Sequence, residues 1–234
     1  MEGLLKTALT ADPEKDAARL KRAFQDELRK RGFTELDFVK EDVRLEALAA
    51  AVIADFHDRA ARGIVNVMGE KQGKLDLPAL GITLTGMPDR IDRSLDGYEI
   101  IDFKTGAPPG KDEVIVGFDP QLPLLAFIAE AGGFKNVKAG PVDDLIYKRL
   151  RATGDGYETR SVIERGSAKK TPFLAADHIA KAREIMKRLT DQARDEGQGY
   201  PSQIRRKWVN KYGEYDLLAR REEWSQVSGD ESGE

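Results

Sequence analysis

The stretches Gly86-Met87-Pro88-Asp89-Arg90-Ile91-Asp92 and Ile101-Asp102-Phe103-Lys104-Thr105-Gly106 lie on either side of a predicted hairpin turn and bring two carboxylates and a lysine together. Side chains alternate along an extended strand, so Asp102 and Lys104 project from one face while Ile101 and Phe103 enter the core from the other. Hydrolysis of a phosphodiester needs a water made nucleophilic and a developing negative charge stabilised, and a hard divalent cation held by carboxylates does both. An ammonium fixed beside the cation orients the water or offsets charge on the phosphate. Asp-x-Lys on a strand is also a common solvated edge, so the pair needs support from its surroundings.

The neighbouring elements give that support. Gly81 to Asp92 reads as a strand with apolar Ile82 and Leu84, Asp96-Gly97 supplies the turn, and Tyr98 to Lys104 returns as its partner. Pro120-Gln121-Leu122-Pro123 opens an apolar segment, Leu124 to Ala131, that reads as a helix with Pro123 in its first turn. Asp12 and Pro13 read as the start of a helix reaching about Lys30, with Ala17, Leu20, Phe24 and Leu28 on one face. A second helix is predicted over Glu41 to Arg62, burying Val43, Ala47, Ala50, Ala54 and Phe56.

The predicted sheet comprises Val65 to Glu70, Lys74 to Leu77, Ile82 to Arg93, Tyr98 to Lys104, Asp143 to Leu150 and a short Tyr157 to Ile163. In the strand from Asp143, Leu145 and Tyr147 oppose Ile146 and Lys148. A long helix follows from about Ala175 to Gln192, then a break at Gly197 to Pro201, a loop or short helix over Arg205 to Tyr215, and an acidic tail, Gly229 to Glu234, expected to be disordered. One domain over residues 1–228 is expected.

At 234 residues and 40% hydrophobic content, the chain can build one substantial α/β core. No apolar run approaches a membrane span and the N-terminus has no apolar leader, so an intracellular, cytoplasmic location is expected. Cysteine is absent, which excludes disulfides, Cys-zinc staples and an iron–sulfur cluster in this chain. The net charge is −3, but basic residues gather at Lys148-Arg149-Arg151, over Arg160 to Lys170, and at Arg205-Arg206-Lys207 beside Trp208. Each group can meet phosphates or serve as ordinary solvated surface. The last adds an aromatic ring able to stack on an unpaired base. No phosphate-cradling Gly-Lys-(Ser/Thr) loop occurs, so the chain alone is not expected to be a helicase.

Gly86 to Asp89, Asp102 to Gly106 and Gln121-Leu122 stand in the order and spacing of the RecB-like branch of the PD-(D/E)XK nuclease superfamily, which the chain resembles. Within it the chain is similar to the AddB-type nuclease domains of alphaproteobacterial form. The matching segments are Ile100 to Pro109, Pro120 to Leu124, Gly132-Gly133-Phe134, Tyr215 to Arg220 and Glu223-Trp224-Ser225. The resemblance covers about Ala17 to Ser225. It implies a restriction-endonuclease-like α/β core, a mixed central β-sheet flanked by helices.

The resemblance also implies a site. Asp89 and Asp102 would be ligands of Mg²⁺ or Mn²⁺, the Phe103 carbonyl would complete the shell, and Lys104 would be the catalytic lysine. Glu70 would join from the preceding strand, or else is a surface glutamate near a turn. Gln121 would position a water or bound strand, or else caps a helix start. The implied setting is double-strand break repair, with an AddA-like helicase–nuclease subunit delivering single-stranded DNA.

The chain departs from the family pattern at two places. Leu125 stands where many relatives carry Tyr, and the N-terminal Gly-x-x-x-His motif is absent. His57 and His178 lie outside that context and read as solvated helix residues, and the chain is expected to start after the motif. A non-catalytic DNA-binding or scaffold module and a stand-alone phage or defence nuclease are the alternatives.

Overall fold

A computed structural model describes residues 9–150, 156–167, 171–195 and 197, to which the following statements apply. The chain divides into two compact units, residues 1–188 and 189–234. The sheet and the candidate site belong to the first.

Asp12 starts α1 (Pro13–Lys30) by accepting the Glu14 and Lys15 N–H groups, and Pro13 occupies a position whose N–H would have no helical partner. α2 (Glu35–Ala61) begins earlier than expected. Thr34 donates both its N–H and its hydroxyl to the Asp37 carboxylate, which anchors an extra first turn.

The buried face of α2 also differs from the expected one. Phe38, Leu45, Ala49, Val52, Ile53, Phe56 and Arg59 are buried, whereas Val43 is 81% exposed and Ala47, Ala50 and Ala54 are exposed with it. Of the predicted set, Phe56 alone faces inward. The helix carries two apolar stripes, and the one with the larger side chains removes more area from water when buried.

The main sheet has the order β1-β4-β5-β6-β7, built from β1 (Val65–Met68), β4 (Arg90–Arg93), β5 (Tyr98–Lys104), β6 (Val142–Leu150) and β7 (Tyr157–Ser161). β2 (Gly73–Leu77) and β3 (Ile82–Gly86) form a separate hairpin. The strand expected to run unbroken from Ile82 to Arg93 is therefore two strands in two sheets. Pro88 cannot donate to a ladder, and the chain leaves one sheet and enters the other across Met87-Pro88-Asp89.

β5 pairs antiparallel with β4 and parallel with β6, in a register that opposes Asp102 to Tyr147 and Lys104 to Arg149. The parallel pairing needs a crossover. That crossover contains α3 (Lys111–Ile115) and α4 (Gln121–Glu130). α5 (Ala175–Arg194) follows β7.

α4 packs on one face of the sheet, where Leu122, Leu125, Ala126 and Ile128 meet Ile91, Ile100, Leu145, Tyr147 and Val162 in one core. The β2-β3 hairpin lies against the same helix so closely that a Cβ on Gly86 would come 2.7 Å from Leu125 Cδ2. Leu125, where relatives carry Tyr, is thus spent on packing. A second cluster joins α1 and α2 through Leu20, Ala49, Val52, Ile53 and Phe56, with Phe103, Leu150 and Tyr157 at its margin.

Charge is buried beneath α2 in paired form. Arg59 bonds Asp92 at 2.8 Å and also bonds Glu99, and Arg90 Nε donates to Asp92 Oδ1 at 2.6 Å. Such a network is tolerable in the interior because each charge has a partner.

The histidines differ from expectation as well. His57 is half-buried with Nε2 3.1 Å from Asp16 Oδ2. His178 is buried against the edge of Phe173, and burial pushes its imidazole below the usual histidine range. Among the described residues, no helix is long and apolar enough to cross a membrane.

Candidate active site

The last residues of β5 and the first residue of α4 form one hydrogen-bonded set. Alternation along β5 sends Asp102 and Lys104 to the α4 side and Phe103 toward the α1–α2 cluster, as expected. Gln121 opens α4 and bridges the pair: its Nε2 donates to Asp102 Oδ1 at 2.6 Å, and its Oε1 accepts from Lys104 Nζ at 2.9 Å. Lys104 Nζ also lies 2.8 Å from Asp102 Oδ2. Oδ2 is buried, and the ammonium is the positive charge that it meets.

Asp89 joins from the break between β3 and β4. Its Oδ2 accepts the N–H of Phe103, the residue after Asp102, at 2.7 Å. Asp102 is 3% exposed. Burial pushes its carboxyl above the usual range; Lys104 opposes the rise, and the negative charges of Asp89 and Asp119 add to it.

These features fit a divalent cation. Asp89 and Asp102 are hard oxygen donors of the kind a divalent cation takes. Among the described residues, no group of three or more His, Cys, Asp or Glu side chains is placed to hold a metal. A cation here would take its remaining ligands from main-chain carbonyl, water or substrate, in the manner of Mg²⁺.

Glu70 lies half-buried in the bend between β1 and β2.

Of the residues expected to meet DNA, Lys148 is in the interior. Its side chain is fully buried, with Nζ 2.6 Å from Asp55 Oδ2, because strand alternation turns it to the α2 face with Ile146. A phosphate cannot reach it there. Arg149 is on the opposite face, partly exposed and in register beside Lys104. Arg205, Arg206, Lys207 and Trp208 lie outside the described residues.

Two residues of this face escaped the sequence reading. Tyr147 Oη donates to Asp119 Oδ1 at 3.0 Å, and the Tyr147 ring lies under the Lys104 ammonium, 5.5 Å from Nζ to centroid. The signal that could have found them is the β5-α4-β6 order itself, which calls for a parallel crossover and so brings β6 beside β5.

Comparison with known proteins bears on the family. The profile of the PD-(D/E)XK nuclease superfamily matches residues 1–209. An uncharacterized protein of Rickettsia felis (strain ATCC VR-1525 / URRWXCal2) is 31% identical over 121 residues, and the chain spans about 13% of that relative's length while half of the chain is matched. The crystal structure of SSO0001 aligns over 83% of both chains at 10% identity with a TM-score of 0.29. With the profile covering most of its length and a mixed five-stranded sheet flanked by helices, the chain belongs to the PD-(D/E)XK nuclease superfamily.

Proposed function

We propose that this nuclease is a divalent-metal-dependent deoxyribonuclease of the AddB type, working beside an AddA-like helicase–nuclease subunit in double-strand break repair. The observation that carries the hydrolytic part is the closed set of Asp102, Gln121 and Lys104 beside Asp89. The AddB assignment rests on the run from Ile100 to Pro109 and on Pro120 to Leu124.

In this reading Asp89 and Asp102, with the Phe103 carbonyl, hold Mg²⁺, for which Mn²⁺ can substitute. The bound ion supplies a water of lowered pKa and neutralises charge on the phosphate. Gln121 holds the Asp102 carboxylate in one orientation through Oδ1, and Oδ2 faces the Lys104 ammonium. Lys104 carries three protons on Nζ and directs one to Gln121 Oε1 and one toward Asp102 Oδ2, so the third remains to orient a water or a phosphate oxygen. Arg149 stands in register beside Lys104 on the adjacent strand. Like charges directly opposed are unfavourable by themselves, and an anion between them reverses the sign. A backbone phosphate of the DNA strand is the proposed anion.

Calorimetric titration with Mn²⁺ tests the ligand set. The chain should bind the ion at one site that weakens by at least about tenfold in Asp89→Asn and in Asp102→Asn, as loss of a supporting ligand does elsewhere. Affinity should rise with pH through the elevated range of Asp102, because the ion competes with its proton. Equal affinity in both variants would move the ion away from these residues.

One observation favours a second reading, a non-catalytic DNA-binding module: among the described residues, no group of three or more His, Cys, Asp or Glu side chains is placed to hold a metal. That module would bind DNA and leave it uncut with either cation.

A further inference from the structure

We propose that Tyr147 is the positioning residue for Lys104, with Asp119 locking it in place. This inference rests on the nuclease reading of the site. Tyr147 occupies the β6 position directly across from Asp102, with no exposed surface. Its ring forms the floor on which the Lys104 ammonium sits, within the range of a cation–π contact. A lysine side chain is flexible and loses rotamer freedom when held in one place. Here it is held from three directions, by the ring below and by Gln121 Oε1 and Asp102 Oδ2 at its tip.

The hydroxyl accounts for the choice of Tyr over Phe. A buried phenol is unfavourable unless hydrogen-bonded, and Tyr147 Oη has Asp119 Oδ1 at 3.0 Å. Burial and the Asp119 charge push the phenol pKa upward, so it remains a donor. Asp119 immediately precedes Pro120, the residue capping α4, and Gln121 is that helix's first residue. The bond therefore ties the floor under Lys104 to the segment that delivers Gln121. Asp102, Gln121, Lys104, Tyr147 and Asp119 close into one circuit through β5, β6 and the start of α4.

Two variants of the full chain separate the parts. Tyr147→Leu removes the ring, and Tyr147→Phe keeps the ring while releasing Asp119. The side-chain methylene protons of Lys104 should carry an upfield ring-current shift in NMR that disappears in Tyr147→Leu and persists in Tyr147→Phe. In Mg²⁺-dependent DNA cleavage, Tyr147→Leu should lower kcat by about tenfold with KM changed less than about twofold, as expected when a reacting group is misplaced but strand binding survives. Tyr147→Phe should lose less, and adding Lys104→Ala to Tyr147→Leu should cost no more than Lys104→Ala alone.

An unshifted Lys104 in the native chain, or a folded Tyr147→Leu with native kcat, overturns the proposal. A native chain that cuts no DNA overturns the nuclease reading instead, and the NMR comparison still decides whether Tyr147 holds Lys104.

Discussion

Lys104→Ala is expected to slow metal-dependent DNA cleavage by about 10²–10⁴-fold, the range associated with a positioned proton-transfer or charge-stabilising group. The reason is local. Lys104 is held 2.8 Å from Asp102 Oδ2 and 2.9 Å from Gln121 Oε1, over the ring of Tyr147. Removing the ammonium leaves the aspartates in place but nothing positive beside them to orient water or meet phosphate. The fold should survive, since the side chain is partly exposed and belongs to neither apolar cluster. Melting at neutral pH should fall by about 3–8 °C, because the buried Asp102 carboxylate loses the cation beside it. Lys104→Arg should restore only part of the rate, because a planar fork does not reproduce a compact point charge. Single-turnover cleavage of a labelled strand reads all three proteins.

Asp102→Asn is expected to abolish cleavage and at the same time to stabilise the metal-free chain at neutral pH. Burial pushes the Asp102 carboxyl above its ordinary value, so the ionised form is disfavoured in the folded state. A carboxyl raised on folding supports the fold below its unfolded pKa, and that support is lost as pH rises through the folded value. Asparagine keeps an oxygen for the Gln121 Nε2 bond and removes the buried charge. In a metal-free thermal melt near pH 8, the variant should melt about 2–6 °C above the native chain. The gap should close as the pH falls and the native carboxyl takes up its proton. A lower melting temperature for Asp102→Asn at pH 8 would mean that the Lys104 ion pair outweighs burial. The opposition of stability and activity at one residue is what a site built to receive a cation should show.

The strand carrying Asp102 and Lys104 was legible because its signals are local. Tyr98 to Lys104 is bounded by Asp96-Gly97 before and Thr105-Gly106 after, and the structure places β5 at those limits. Alternation then put Asp102 and Lys104 on one face without further information. Asp12-Pro13 marked the start of α1 for the same reason.

What was not legible depends on partners distant in sequence. The two faces of α2 are both apolar, and which is buried is decided by α1 and the sheet, so Val43 and its neighbouring alanines were assigned to the wrong side. Lys148 belongs to a basic run, yet its strand turns it toward Asp55, a residue of α2. Tyr147 and Asp119 become neighbours of Lys104 only when β6 pairs parallel with β5 across the α4 crossover. Pro88 was visible as a residue but read through as part of one strand. It lies in the break between β3 and β4, from which Asp89 accepts the Phe103 N–H.

Degradation of end-labelled single-stranded DNA, with and without Mg²⁺ or Mn²⁺, tests the central claim most directly. The account predicts cleavage by the native chain in the presence of either cation, none with chelator, and loss of cleavage in Asp102→Ala and Lys104→Ala. A folded native chain that leaves the strand intact with both cations, even when an AddA-like helicase partner is supplied, would contradict it.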